Sequence, residues 1–227
     1  MTVLVITGTG TEIGKTIVTA AVAATARGRS VAVLKPAQTG VAPGEHGDAD
    51  EVARLAGVVT AVELARFPEP LAPATAARRA GMTPVRPRDV AEAAEKLAAE
   101  HDLVLIEGAG GLLVRFDDDG GTLADAARLI GAPVLVVAPA GLGTLNATAL
   151  TTEALRARGL ECAGVVVGSW PAEAGLAARC NLTDLPESAG APLLGAVPEG
   201  AGSMEPADFR RLAPSWLAPV LGGSWTG

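Results

Sequence analysis

The sequence contains no tyrosine, three lysines, two histidines and two cysteines among its 227 residues, and aromatic residues make up only 3% of it. Cys162 and Cys180 are too few and too far apart for a disulfide framework or a cysteine-based metal site. His46 and His101 have neither a metal-binding nor a catalytic-triad spacing, so we expect a structural role for both. Any chemistry must therefore come from other side chains.

Long apolar runs and positive charge are also scarce. No run reaches the roughly 18–20 residues that a membrane-spanning helix needs, and residues 1–8 lack the basic stretch of a signal peptide. The net charge of −7 disfavours nucleic acid as a general partner, because binding a phosphate backbone needs a basic surface. Apolar residues make up 49% of the chain, enough for a substantial core. We expect a cytoplasmic globular protein without nucleic-acid or membrane partners.

Six apolar, non-alternating runs predict β-strands that are buried on both faces. These runs are Val3–Thr7, Val31–Lys35, Leu103–Glu107, Val134–Ala138, Ala163–Val167 and Leu193–Val197. The helical patterns are Lys15–Arg27, Ala49–Ala56, Arg88–His101, Leu123–Ile130 and Thr144–Arg158, with a further helix within Ser169–Ala189 and a short one within the loop Phe67–Pro87. The alternation predicts an α/β fold, a mainly parallel sheet covered by helices on both faces. We expect one domain over residues 1–221 and a flexible tail over residues 222–227.

The first candidate site follows the first predicted strand. Residues 8–16 read Gly-Thr-Gly-Thr-Glu-Ile-Gly-Lys-Thr, close to the phosphate-loop pattern Gly-x4-Gly-Lys-Ser/Thr but with five residues between Gly8 and Gly14. The glycines allow backbone N–H groups to face an anion, and a helix beginning at Lys15 would point its positive end at the same place. Lys15 can reach the β- and γ-phosphates and Thr16 can coordinate magnesium. The alternative, a glycine-rich turn with a solvated lysine, is disfavoured by the strand before and the helix after.

Two acidic positions are candidate magnesium ligands. Glu107 ends a strand of pure hydrophobes and opens Gly108-Ala109-Gly110-Gly111, where the backbone could pass close to a phosphate. Burying an unpaired carboxylate there would be costly, and magnesium takes oxygen ligands. Asp48 opens an acidic helix start, with Asp50 as the alternative ligand. Both positions also fit simpler roles as helix caps, dipole complements or ion-pair partners.

Lys35 ends the second predicted strand and is followed by Pro36-Ala37-Gln38-Thr39-Gly40. We interpret Lys35 as a second cation for a γ-phosphate or an acyl-phosphate-like transition state, with a solvated strand-end lysine as the alternative. Three further stretches fit either an ordinary turn or a ligand contact, namely Gly141–Asn146, Gly168–Pro171 and Val197–Gly200.

These motifs together resemble those of the ATP-dependent dethiobiotin synthetases. The resemblance rests on residues 8–16, 35–40, 107–111 and 142–146, in the same order, and runs to about residue 200. The spacing of five residues between Gly8 and Gly14 is this family's own form. The resemblance implies a homodimeric ligase with a P-loop NTPase-like fold that uses ATP and magnesium to join carbon dioxide to 7,8-diaminononanoate. In the reaction that the resemblance implies, a carbamate forms, ATP converts it to a carbamic–phosphoric anhydride, and the second amine closes the ring of dethiobiotin in biotin biosynthesis.

The resemblance also implies roles for individual residues. Lys15 and Lys35 would be the catalytic cations, and the magnesium ligands would be Thr16, Asp48 and Glu107. The implied nucleotide-binding residues are Glu12, Ile13, Gly14, Lys15, Thr16, Ile17, Asp48, Glu107, Gly108, Ala109, Gly110, Gly168, Ser169, Val197, Pro198 and Glu199. The implied substrate-binding residues are Thr11, Thr39, Gly143, Thr144, Leu145 and Asn146, of which the last four would act across the dimer interface on the substrate carboxylate.

One departure from the family pattern concerns recognition of the nucleotide base. Gly168-Ser169 stands where many members carry Asn-Asp, which removes an amide able to read adenine, so we expect a relaxed nucleotide preference. Two other ATPase classes are less favoured. A cobyrinate-type amidotransferase would need a glutaminase domain or partner, and no second domain is visible. A partitioning or septum-placing ATPase would need a lysine within residues 9–12, which contain none.

Overall fold

The computed structural model describes residues 3–227, so Met1 and Thr2 of the predicted domain lie outside the described residues. The strands are β1 (Val3–Gly8), β2 (Val31–Thr39), β3 (Thr60–Phe67), β4 (Leu103–Gly111), β5 (Val134–Ala138), β6 (Cys162–Trp170) and β7 (Leu193–Pro198). The helices are α1 (Lys15–Thr25), α2 (Asp48–Ala56), α3 (Pro73–Ala80), α4 (Pro87–Glu100), α5 (Leu123–Ile130), α6 (Thr144–Arg156), α7 (Leu176–Ala189) and α8 (Pro206–Leu212). Short 3-10 helices follow at Ala201–Ser203, Ala213–Trp216 and Pro219–Leu221.

Within residues 3–227 the strands form one seven-stranded sheet in the order β3-β2-β4-β1-β5-β6-β7, and each neighbouring pair is parallel. One apolar cluster packs α1, α2 and α8 on one face, and a second packs α3, α4, α5 and α6 on the other. The predicted α/β fold is therefore confirmed. Because parallel strands end at the same edge of the sheet, the polar residues that follow them meet there.

The central strand β1 illustrates why its apolar run is continuous. Leu4 and Ile6 pack in the cluster with α1, whereas Val5 packs in the opposite cluster with α5. Val5 and Ile6 have no exposed surface at all. A strand with a helical layer on each face needs apolar side chains in both directions, so no polar residue interrupts the run.

The prediction of six strands is wrong by one. Strand β3 was missed because Glu63 and Arg66 interrupt its apolar pattern, and because it lies at the edge of the sheet with most residues only half-buried. Its presence also explains why β2 runs through Pro36 to Thr39, since β3 supplies pairing partners for residues 37–39. The predicted helices are found with small shifts at their ends, and α5 has the predicted bounds.

The C-terminal segment, which the sequence predicts to be a flexible tail, makes backbone hydrogen bonds to the domain. The Ser224 amide donates to the carbonyl oxygen of Pro214 at 2.7 Å, and the Trp225 amide donates to that of Leu217 at 2.9 Å. The indole of Trp225 packs against the apolar cluster that contains α1. Residues 223–225 are therefore docked onto the domain, because a half-buried tryptophan removes apolar surface from water. None of the helices in the described part of the chain has the length and apolar character that spanning a bilayer requires.

Candidate active site

The loop between β1 and α1 is tightly folded. Gly14 has a φ of 91°, and a Cβ atom there would lie 2.2 Å from the carbonyl oxygen of Gly168, so this position requires glycine. Glu12, with φ 57°, is the one non-glycine residue with positive φ among residues 3–227. Strained backbone of this kind concentrates in ligand-binding loops. Lys15 is buried, and its Nζ donates to the carbonyl oxygen of Gly10 at 2.8 Å, so the lysine curls back over the loop.

The carboxylate of Glu107, at the edge where the parallel strands end, is the centre of a buried polar network. It is 1% exposed. Thr16 Oγ1 lies 2.9 Å and Lys35 Nζ 2.8 Å from Oε1, and Thr19 Oγ1 lies 2.7 Å from Oε2. Lys35 Nζ also forms an ion pair with Oδ2 of Asp48. The Lys35 ammonium thus lies between two carboxylates, and three elements, α1, β2 and β4, converge on one charge.

Burial and neighbouring charges shift the pKa values of the two lysines in opposite directions. Desolvation lowers the pKa of Lys15, and the positive charge of Lys35 lowers it further. Burial also opposes the charge on Lys35, but the attraction of Glu107 and Asp48 outweighs it and raises the pKa of Lys35 above its ordinary value. Lys35 is therefore held as a cation.

The two candidate aspartates of α2 have different surroundings. Asp48 contacts Lys35 and lines the cleft above it. Asp50 Oδ2 instead accepts a hydrogen bond from the backbone N–H of Gly47 at 2.9 Å and lies 3.5 Å from Nη2 of Arg66. Of the two, Asp48 is the one that faces Glu107 across the Lys35 ammonium.

A cleft of about 830 Å³ opens over this network. This volume is within the range of small-molecule sites. Its lining contains thirteen of the predicted site residues, Thr11, Glu12, Ile13, Gly14, Lys15, Thr16, Ile17, Lys35, Thr39, Asp48, Glu107, Ala109 and Gly110. The predicted residues outside the lining are Gly108, Gly143, Thr144, Leu145, Asn146, Gly168, Ser169, Val197, Pro198 and Glu199.

The residues predicted for the nucleotide base lie at the ends of β6 and β7, with Glu199 directly after β7. Gly168 is buried against the β1–α1 loop, where a Cβ atom on it would lie 2.0 Å from the carbonyl oxygen of Ile13. Val197 is fully buried, so its side chain packs in the core and does not reach the surface. The backbone N–H of Glu199 donates to the carbonyl oxygen of Trp170 at 2.7 Å, which ties the two strand ends together.

The loop before α6 is held from below by Asn181. Its Nδ2 donates to the carbonyl oxygens of Ala140 at 2.8 Å and Gly141 at 3.1 Å. Thr144 begins the helix, is 1% exposed, and its hydroxyl has no hydrogen-bond partner among the described residues. Leu142 is 92% exposed. The loop is thus hydrogen-bonded on its inner side and presents an apolar side chain to the outside.

Thr19 is a site residue that sequence reasoning missed. It lies three and four positions after Thr16 and Lys15, and on a helix this spacing puts all three on one face. That spacing is the signal that could have identified it. Thr19 has no exposed surface, and its hydroxyl contacts the Glu107 oxygen that Thr16 does not contact.

Replacing Thr19 by valine should destabilise the protein. The shape is kept, but the buried Oε2 of Glu107 loses its hydroxyl donor, and we expect a loss of about 1–3 kcal/mol in the free energy of unfolding by urea denaturation. Thr19→Ser should recover most of it. The matched control is Thr151→Val, because the Thr151 hydroxyl bonds only the carbonyl oxygen of Ala147 in its own helix. Equal stability of Thr19→Val and the parent would contradict this role.

Known proteins resemble this chain in sequence and in fold. A family model described as an AAA domain matches residues 2–207. The chain is 74% identical over 226 residues to the ATP-dependent dethiobiotin synthetase BioD of Saccharopolyspora erythraea, which covers 100% of both chains. It is also 74% identical over 227 residues to the ATP-dependent dethiobiotin synthetase BioD of Streptomyces avermitilis, covering 99% of this chain and 95% of the relative.

Solved structures with low sequence identity share the fold. A chain of the MinC:MinD cell division protein complex of Aquifex aeolicus superposes with a TM-score of 0.59 at 14% identity, covering 100% of this chain and 98% of that one. A ParA family ATPase from Chlorobium tepidum does so with a TM-score of 0.57 at 11% identity, covering 97% of each chain. These matches support the P-loop NTPase fold, whereas the dethiobiotin synthetases match nearly the whole chain at high sequence identity. The chain therefore belongs to the ATP-dependent dethiobiotin synthetase family of carbon–nitrogen bond-forming ligases.

Proposed function

We propose that this chain carries out the reaction of its family, the ATP-dependent formation of dethiobiotin in biotin biosynthesis, in the cleft over Glu107. The observation that supports this most directly is the buried Glu107 carboxylate, contacted by Thr16 and Lys35 at the edge where the strands end. A phosphate loop, two cations and two carboxylates in one cleft suit phosphoryl transfer to an acid group better than binding alone.

The oxygen atoms around Glu107 fit a magnesium ion. The Lys35 ammonium lies between the carboxylates of Glu107 and Asp48, so this position already accommodates a positive charge. Carboxylate and hydroxyl oxygens are hard ligands, and magnesium is commonly held by one or two carboxylates together with phosphate oxygens. Thr16, Asp48 and Glu107 would hold the ion. Bound magnesium would neutralise negative charge on the phosphate groups.

The nucleotide phosphates would lie along the β1–α1 loop. The backbone of Glu12, Ile13 and Gly14 and the positive end of α1 would face them. Lys15 would exchange its hydrogen bond to Gly10 for the phosphate oxygens. Ile17, Gly108, Ala109 and Gly110 would complete the nucleotide side, with the base near Gly168, Ser169, Pro198 and Glu199 and the backbone of Val197.

The chemistry itself requires little of the protein beyond positioning and charge. One amine of 7,8-diaminononanoate adds to carbon dioxide, and Thr11 and Thr39 would hold the resulting carbamate. A carbamate oxygen attacks the γ-phosphorus while ADP leaves, and Lys35 would stabilise the charge on the transferred group. The second amine then attacks the carbamoyl carbon, and phosphate leaves as the ring closes.

The substrate carboxylate would be bound across a homodimer interface. The cleft of a chain is not lined by its own Gly143, Thr144, Leu145 or Asn146, so these residues would act on the cleft of a partner copy. The exposed Leu142 next to them suits an interface. We place the reaction in the cytoplasm, as expected for biosynthesis from ATP and small-molecule substrates.

The reaction can be tested by phosphate release from magnesium–ATP and bicarbonate, with and without 7,8-diaminononanoate. We expect release that depends on the diamine, with dethiobiotin identified by mass spectrometry. Release that is independent of the diamine would contradict the proposed reaction and favour an ATP-driven switch or an amidotransferase.

Lys35→Met should separate binding from chemistry. Because Lys35 is proposed to stabilise charge that develops in the transition state, kcat should fall by about 10²–10³ while the folded variant largely retains nucleotide binding. The variant should also be less stable than the parent, because the buried Glu107 carboxylate loses its cation. Lys15→Met, by contrast, should lose nucleotide binding. Lys96→Met is the matched control, since Lys96 is the third lysine and lies exposed on α4. Full activity of Lys35→Met would remove Lys35 from the mechanism.

Nucleotide preference should be relaxed. Gly168 offers no side-chain amide, and the side chain of Val197 is buried, so base recognition in this region depends mainly on backbone groups and surface residues. Steady-state turnover with GTP and CTP should therefore be measurable beside that with ATP. A clear ATP rate with no turnover of GTP or CTP would contradict this expectation.

A further inference from the structure

Arg66 makes contacts that the proposed reaction does not use. It lies near the end of edge strand β3 and pairs in register with Gln38 of β2. Leu64 and Ala65 both pack in the cluster with α3 and α4, while Glu63 and Arg66 contact each other. This departure from simple alternation brings an acidic and a basic side chain together on the sheet face that carries α2.

The guanidinium of Arg66 uses its full set of donors. Nε and Nη2 each donate to a carboxylate oxygen of Glu63 at 2.8 Å. Nη1 donates to the carbonyl oxygens of Ala42, at 3.3 Å, and Glu45. Nη2 also reaches Oδ2 of Asp50 at 3.5 Å. A guanidinium has five N–H donors, and these five acceptors tie the edge strand to the loop before α2 and to α2 itself.

The backbone of Gly47 lies directly against the Glu63–Arg66 pair. A Cβ atom on Gly47 would be 2.4 Å from Oε1 of Glu63 and 2.9 Å from Nη2 of Arg66. The Gly47 N–H donates to Oδ2 of Asp50, the same oxygen that Arg66 approaches. The next residue is Asp48, so the guanidinium packs against the residue that immediately precedes the aspartate facing Lys35.

Few apolar contacts can replace these hydrogen bonds. Residues 43–46 are all exposed, so the loop contributes little to the hydrophobic core. Ordering an exposed loop costs backbone entropy that its own contacts must offset. Arg66 supplies donors to two of the loop's carbonyl groups and lies 3.5 Å from the Asp50 carboxylate, which caps the start of α2.

We propose that Arg66 is a positioning residue for Asp48. It acts through the loop and through Glu63 and Asp50, and it touches neither nucleotide nor substrate. This rests on the proposed function, in which Asp48 is a magnesium ligand. Groups that orient a metal ligand commonly change metal affinity about 10–100-fold when they are removed.

The experiment compares nucleotide binding by calorimetry with and without magnesium, together with hydrogen–deuterium exchange of the loop. Arg66→Met removes the guanidinium, and Arg66→Lys keeps the positive charge but not the planar set of N–H donors. We expect Arg66→Met to weaken magnesium–ATP binding about 10–100-fold, to leave metal-free ATP binding as in the parent, and to speed exchange in residues 41–47. Arg66→Lys should recover little of the loss.

The matched control is Arg211→Met. Arg211 forms an exposed ion pair with Asp208 at the same spacing of three residues as Arg66 and Glu63, but on α8. It should change neither measurement. A milder variant, Glu63→Gln, keeps Arg66. It should cause a smaller loss of ATP affinity, again only when magnesium is present, and so provides the test if Arg66→Met folds poorly.

Two outcomes would overturn the proposal. One is that the variants bind magnesium–ATP like the parent, and the other is that they lose equal affinity with and without magnesium, which indicates general destabilisation. A further variant, Asp48→Asn, distinguishes failure of the positioning role of Arg66 from failure of the proposed function. If Asp48→Asn retains normal magnesium–ATP binding, the metal role of Asp48 fails; if it weakens binding and Arg66→Met does not, only the positioning role of Arg66 fails.

Discussion

The buried contact between Lys35 and Glu107 is the interaction on which the rest of the site depends. Their side chains are 3% and 1% exposed, and charges this deep are tolerated only when they are paired and hydrogen-bonded. The Thr16 and Thr19 hydroxyls and the Asp48 carboxylate complete the set of partners. Strands β2 and β4 and helix α1 must therefore meet in one relative position for the network to be satisfied.

The parallel sheet makes that meeting possible. β1, β2 and β4 are neighbours, and all end at the same edge, so residues distant in the chain, such as Lys15, Lys35 and Glu107, come within reach of one another. Apolar side chains on both faces fix the strands without contributing to the chemistry. The polar groups of the site lie from the middle of these strands to the loops that follow them, beneath the cleft that gives ligands access.

Apolar and charged residues also have separate roles in the edge strand β3. Strand β3 contributes apolar residues to one face, and its charged pair, Glu63 and Arg66, braces the loop that leads to Asp48 on the other. A core of close-packed side chains would hold this loop rigidly, but the loop is exposed and must be held by hydrogen bonds instead. The geometry of the cleft therefore depends on a strand that contributes no residue to its lining.

The sequence by itself determined the central strands, the flanking helices other than α8, the phosphate loop, Lys35 and Glu107, because these appear as continuous apolar runs and as short motifs within one turn or strand end. The edge strand β3, the docked Trp225, the Thr19 contact and the distinct surroundings of Asp48 and Asp50 were decided only by the tertiary structure. Each depends on pairs of residues that are far apart in the chain or on half-buried faces, where burial and partner choice follow from packing. For Thr19, the helical spacing indicates a face shared with Lys15 and Thr16, but only the packing brings Glu107 to that face. Asp48 and Asp50 show this most simply. Both begin one helix, and only the position of Lys35 on one side and Arg66 on the other gives them different partners.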